Sequence, residues 1–179
     1  MFILVIGGSG SGKSEFAEDC AICLAKEGPI YIAAMIPYGD EGKKRVLRHR
    51  DQREGKGFIT KERYFDMKNI KVDSGDTVIL ECISNLLANE MFEPEGANNN
   101  SVSEIKHGIE YIKGTADNFV VVTNDVFCDG IGYSKETNDY IKNLGKINRF
   151  MAAAADEVYE VVCGIPILIK GEGICLNRL

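Results

Sequence analysis

No apolar run in this 179-residue chain approaches the roughly 20 residues of a membrane-spanning helix. The opening "MFILVI" gives way to glycine after six residues, too short for a signal peptide or a span. The sequence therefore reads as a cytoplasmic protein. An excess of cations is also lacking: 21 Lys and Arg stand against 27 Asp and Glu, a net charge of −6. That balance argues against general nucleic-acid binding, which uses a basic face. Six cysteines are present, at 20, 23, 82, 128, 163 and 175, but paired metal-ligand spacing is missing. Cys20 and Cys23 form a CxxC without a second ligand pair. They fall on a helical pattern and read as positions facing the core rather than as a zinc or redox site. Cys82 and Cys163 end strand-like runs, and free thiols throughout fit a reducing compartment.

What the chain does contain is an alternation. Nearly continuous apolar runs predict strands at 2–6, 30–34, 77–82, 119–123 and 158–163, with a short one at 166–170 after a "GIP" turn. Helical periodicity lies between them, at about 13–27, 40–53, 84–91, 102–113 and 137–155. Strand and helix in turn predict an α/β fold with a mostly parallel sheet flanked by helices, joined by right-handed crossovers. No repeat or boundary divides the chain, so residues 1–179 read as one domain. "EPEGANNN" (93–100) and "FCDGIGYS" (127–134) read as loops.

"GGSGSGKS" (7–14) follows the first strand and opens the first helix. A linker would be equally rich in Gly and Ser, but it would not sit between a strand and a helix. In that setting GxxxxGK[ST] is a phosphate-binding loop, so the fold is that of a P-loop NTPase. Gly7, Gly8, Ser9, Gly10, Ser11 and Gly12 let backbone N–H groups converge on phosphate oxygens at a helix N-terminus. Lys13 brings a point charge to the β and γ phosphates, and Ser14 offers a hydroxyl to Mg²⁺. Two carboxylates close later strands: Glu81 in "TVILE" and Asp125 in "VVVTND". Ligands of open α/β sheets bind at such strand ends. Asp125 joins Ser14 as a candidate metal ligand, and Glu81 is a candidate nucleotide contact; a helix-capping carboxylate is the plainer reading of either. A guanine-reading NKxD signature is lacking.

The acidic chain also concentrates cations. Nine of its 21 Lys and Arg lie between Lys43 and Arg63. Such a run is either a solvated helix face or a site for an anionic small molecule. If 40–53 is helical, Arg45, His49 and Arg53 share one face at i, i+4 and i+8. Neighbouring cations disfavour imidazolium, which leaves His49 neutral and nucleophilic near pH 7. The guanidiniums can also clamp a triphosphate and stabilise a leaving pyrophosphate. His107 has no such surroundings and reads as a surface or cap residue.

Taken together, "ILVIGGSGSGKS", "YIAA", "DEGKKRVLRHRDQR", "TKE", "ILEC", "VVVTNDV" and "GKINRFMAAAADEVYEVVCGIPILIK" resemble the bifunctional adenosylcobinamide kinase and adenosylcobinamide-phosphate guanylyltransferase family. The resemblance covers nearly the whole chain. It implies phosphorylation of the aminopropanol hydroxyl of adenosylcobinamide, then transfer of GMP from GTP to the new phosphate through a guanylylated histidine, here His49. It further implies corrinoid and nucleotide substrates (GTP and ATP), Mg²⁺, and a homotrimer. Nucleotide contacts fall on the P-loop, on Ala33, Ala34 and Met35, on Arg50, Asp51, Gln52 and Arg53, and on Glu62 and Glu81, with Arg45 beside them. The chain departs from the family at Ala33-Ala34-Met35, where a hydroxyl is usual, at Glu54 and Phe58, and across 127–142. These last changes lie where the corrinoid would be read. They motivate the alternatives: a kinase or nucleotidyltransferase for a different small acceptor, or a non-catalytic nucleotide-binding protein.

Overall fold

The computed structural model describes residues 1–126 and 133–177. Its centre is one seven-stranded sheet. The strands are β1 (Phe2–Gly7), β2 (Ile30–Ala33), β3 (Ile59–Glu62), β4 (Thr77–Glu81), β5 (Asn118–Asn124), β6 (Glu157–Val162) and β7 (Ile165–Lys170). They lie in the order β3-β2-β4-β5-β1-β6-β7, all parallel except β7, which pairs antiparallel with β6. Five helices connect them: α1 (Lys13–Leu24), α2 (Gly39–Arg53), α3 (Ile83–Phe92), α4 (Ser101–Thr115) and α5 (Lys135–Ala154). From β1 the chain leaves for β2 on one side; from β5 it crosses β1 to reach β6 on the other. Such a reversal of direction opens a crevice at the strands' C-terminal ends, where the P-loop lies.

Parallel strands buried on both faces need an apolar layer on each. On one face Phe2, Leu4, Ile32, Leu80, Val121 and Val158 pack with Leu86, Ile109, Ile147 and their neighbours from α3, α4 and α5. On the other, Ile3, Val5, Tyr31, Ile79, Val120 and Tyr159 pack against Phe16, Ala17, Cys20 and Ala21 of α1, and Cys175 joins them. Cys20 is buried as the helical pattern predicts, whereas Cys23 is only half-buried. Helix α2 belongs to neither core, and Arg53 is its one buried residue.

Three expectations are corrected. The pattern predicts the first helix to residue 27, but it ends at Leu24 with Ala25 extended. The chain has to leave the helix there to bring Gly28 under Gly57, whose carbonyl would lie 2.4 Å from any Cβ at 28. Cys82 is the N-cap of α3 rather than the end of β4. Strand β3 has no counterpart in the apolar pattern, because it is a sheet edge whose residues are mostly exposed. At the other edge β7 is also exposed rather than buried on both faces, with Ile165 64% and Ile169 59% accessible. The loop departure at 127–132 lies outside the described residues.

Candidate active site

Gly7 ends β1, and a side chain there would meet the Val161 carbonyl at 2.7 Å and the Ser11 hydroxyl at 2.6 Å. Glycine is thus what lets the loop fold back against β6. Gly12 caps α1 in the left-handed region, with φ 91°, and only glycine adopts that without strain. The loop is braced from outside, since Gly164 N–H of the β6–β7 turn donates to Ser11 O at 2.8 Å. Lys13, 9% exposed, donates from Nζ to Gly8 O at 3.0 Å. That folds its ammonium back over the loop, where phosphate oxygens would lie.

A cavity of about 1450 Å³ opens from this loop. One ligand pocket typically spans roughly 300–1,000 Å³, so there is room for a nucleoside triphosphate and part of an acceptor. Ser9 to Ser14 form one wall. Much of the rest of the lining comes from α2, including Arg45, His49, Arg50, Gln52 and Arg53. Ala33, Met35, Glu62 and Glu81 complete the set brought together from the predicted site. Gly7, Gly8, Ala34, Asp51 and Asp125 do not line the cavity. Ala34 is fully buried in the core under α3, and Asp51 is exposed on the outer side of α2. Asp125 sits just past the end of β5, its N–H donating to Gly7 O at 3.2 Å.

Glu81 therefore stands closer to the phosphate end than Asp125 does. One of its oxygens accepts from Ser14 Oγ at 2.5 Å, the other from Tyr31 Oη at 2.5 Å. A hydroxyl and a carboxylate are hard oxygen donors of the type Mg²⁺ takes beside phosphate and water. The residues thus fit the ion. Among the described residues no three His, Cys, Asp or Glu side chains converge as an all-protein metal cage. A P-loop ion does not need one, because nucleotide and water supply its other ligands.

His49 is half-buried, and its Nδ1 has no hydrogen-bond partner among the described residues. Burial holds its pKa below the usual 6.5. Glu81 pulls in the opposite direction, while Arg48, Arg53 and Lys13 add to the lowering. Sequence attributes the neutral imidazole to its cationic neighbours; desolvation is in fact the larger cause. The cations are also not alike. Arg45 is paired with Glu41 at 2.8 Å on the exposed side, and Arg50 with Glu62 at 2.5 Å. Arg53 is 6% exposed and lies over the Tyr31 ring at 3.6 Å, its Nε and Nη1 without partners among the described residues. Ser11 Oγ is likewise unpartnered. These polar groups gather on the one cavity, and buried donors of this kind are expensive unless something accepts from them.

A pH dependence follows. A nucleophilic imidazole must be neutral, so covalent labelling of His49 by a nucleotide should fall as acid protonates the ring, with its midpoint below the usual 6.5. Between that value and 6.5 the unfolded chain carries the extra proton, so acid also withdraws the stability contributed by the neutral ring. Initial labelling rates across pH 5–8 check this; a midpoint above 6.5 would contradict it.

Some lining residues leave no sequence signal. Tyr31 looks like an ordinary core aromatic. Glu18, nearly fully buried, pairs with Lys56 at 2.7 Å; burial pushes its carboxyl up while Lys56 draws it down. Asn85 and Asn124 line the end of the cavity near α3. Asn124 Nδ2 donates to Ser84 Oγ at 2.6 Å. His107 is exposed on α4, as its surroundings in sequence predict.

Comparison with known proteins gives the chain a family. The profile of a family described as cobinamide kinase / cobinamide phosphate guanyltransferase matches residues 3–169. The bifunctional adenosylcobalamin biosynthesis protein CobU of Escherichia coli (strain K12) is 30% identical over 184 residues, covering 95% of this chain and 100% of its own. The protein of the same name from Salmonella typhimurium is 32% identical over 186 residues, with 95% and 100% covered. CobP of Pseudomonas aeruginosa is 23% identical over 176 residues, covering 94% and 97%.

Proposed function

From its membership of the cobinamide kinase / cobinamide phosphate guanyltransferase family, to which this chain belongs, we propose a two-step activity in cobalamin biosynthesis. The enzyme phosphorylates the aminopropanol hydroxyl of adenosylcobinamide with a nucleoside triphosphate. It then transfers GMP from GTP to adenosylcobinamide phosphate by way of a guanylylated His49. The observation that supports the reading is that the P-loop and His49, whose Nδ1 has no partner among the described residues, line one cavity.

In the first step the P-loop amides and Lys13 hold the triphosphate, and transfer is mostly a matter of positioning and charge stabilisation. Ser14 and Glu81 would hold Mg²⁺, which would neutralise phosphate charge there. In the second step the His49 ring nitrogen attacks the α-phosphorus of GTP, and the bond to the β-phosphate oxygen breaks, releasing pyrophosphate. The Arg53 donors accompany the charge gathering on the leaving group. The phosphate oxygen of the acceptor then attacks the phosphoramidate, and His49 is regenerated.

The homotrimer implied by the resemblance belongs to the same proposal. It accords with the exposed apolar residues Ile165, Ile167 and Ile169 at the sheet edge, of the kind a second copy covers. No described helix is long and apolar enough to cross a membrane. The test is incubation with adenosylcobinamide, GTP and Mg²⁺, followed by mass analysis. Successive gains of a phosphate and of GMP support the proposal. A phosphorylated product that never gains GMP, or no reaction with adenosylcobinamide and its phosphate alike, would overturn it.

A further inference from the structure

Tyr31 lines the same cavity, and neither step above uses it. On β2 it pairs with Ile79 of β4. Neighbours in a parallel pair point to the same face, and so does Glu81, two residues beyond Ile79. The phenol is long enough to reach forward along the strands to that carboxylate. Its hydroxyl donates to Glu81 Oε2 at 2.5 Å while Ser14 Oγ donates to Oε1 at 2.5 Å. Each carboxylate oxygen thus has its own donor, and the group cannot rotate without breaking both bonds. The Tyr31 side chain is itself fixed. It is 3% exposed, and Phe58 packs edge-on against its ring at 5.9 Å.

The same ring supports Arg53. The guanidinium carbon lies 3.6 Å from the ring centroid, and Arg53 is the one buried residue of the helix that carries His49. Stacking holds a guanidinium by its face and leaves its edge donors available. Two of those donors, Nε and Nη1, are buried in the cavity wall without partners among the described residues. Helix α2 brings no residue to either apolar core, so few other contacts set where His49 stands.

We propose that Tyr31 is a positioning residue with two separable roles: its hydroxyl fixes Glu81 beside Ser14, and its ring seats Arg53 and with it the histidine helix. This rests on the kinase and guanylyltransferase reading. The hydroxyl acts at the P-loop, which both steps use; the ring acts on the helix that only guanylyl transfer needs.

Tyr31→Phe keeps the ring and removes the hydroxyl. Both steps should slow roughly tenfold in kcat, the scale of one hydrogen bond to a charged group, with nucleotide KM held within about twofold. If the hydroxyl acts through Glu81, the double variant Tyr31→Phe/Glu81→Gln should be no slower than Glu81→Gln alone. Tyr31→Leu removes both roles and should lower formation of guanylylated His49 well beyond its effect on phosphorylation. Should that variant not fold, Arg53→Lys keeps the charge without the planar stack and should show the same bias against guanylylation. Wild-type turnover in Tyr31→Phe, or a double variant as slow as the product of the two single losses, would overturn the first role. Equal loss of both steps in Tyr31→Leu and in Arg53→Lys would overturn the second. If the wild-type protein forms no guanylylated histidine, the functional reading fails. If it does and Tyr31→Phe behaves normally, only the positioning role fails.

Discussion

Lys13→Ala is expected to lower phosphorylation of adenosylcobinamide and transfer of GMP together, by roughly 10²–10³-fold in kcat, the scale of losing one preorganised charge-stabilising group. In the proposed function the P-loop serves the triphosphate of both steps, so neither escapes the loss. The fold should survive. Lys13 is buried against the loop rather than in either apolar core, and its Nζ donates to the carbonyl of Gly8, within that loop. Thermal melting should therefore change little while both activities collapse. Steady-state assays of each step, run beside a melt, check this. A variant with near-normal turnover in either step would remove the phosphate-site assignment.

His49→Ala is expected to separate the two steps. Guanylyl transfer should fall below detection, because no other described side chain on α2 combines a neutral nucleophile with a place in the cavity wall. Phosphorylation should persist at least in part, since the proposed first step draws on the P-loop and uses no histidine. The loss should not reflect unfolding, because α2 lies outside both cores. Assaying the variant with adenosylcobinamide for the first step, and with preformed adenosylcobinamide phosphate for the second, distinguishes these outcomes. Equal loss of both steps would instead make His49 a phosphate contact shared by them.

Much of this site is legible from the residues alone. β1, β4 and β5 are continuous apolar runs because they lie inside a parallel sheet, and GGSGSGKS is recognisable because a strand enters it and a helix leaves it. The basic helix is readable as well: a helix carrying so little apolar surface belongs to no core. Strand β3 is not readable, since an edge strand needs no apolar face. Nor is the strand order, which depends on where each crossover lands. The choice between Glu81 and Asp125 also escapes the sequence. Both end strands next to β1 or its neighbour β5, and only the packed structure puts Ser14 and Tyr31 on Glu81. Tyr31 is hidden for a related reason: its partner in the chain lies 50 positions away, and a tyrosine in a buried strand looks like core. The lowered His49 pKa is anticipated in direction but not in cause, because burial is a property of the fold rather than of neighbours in sequence.

The central claim is that His49 becomes covalently guanylylated, and labelling with GTP tests it most directly. GTP labelled at the α-phosphate should label the wild-type protein. GTP labelled at the γ-phosphate should not give that adduct. The adduct should be acid-labile and relatively stable to base, as a phosphoramidate is and a serine or threonine ester is not. Added pyrophosphate should discharge it and regenerate GTP, because the exchange is reversible. His49→Ala should take up no α-label. Wild-type protein that makes guanylylated product without ever holding the α-label, or His49→Ala labelled to the wild-type level, would contradict the account.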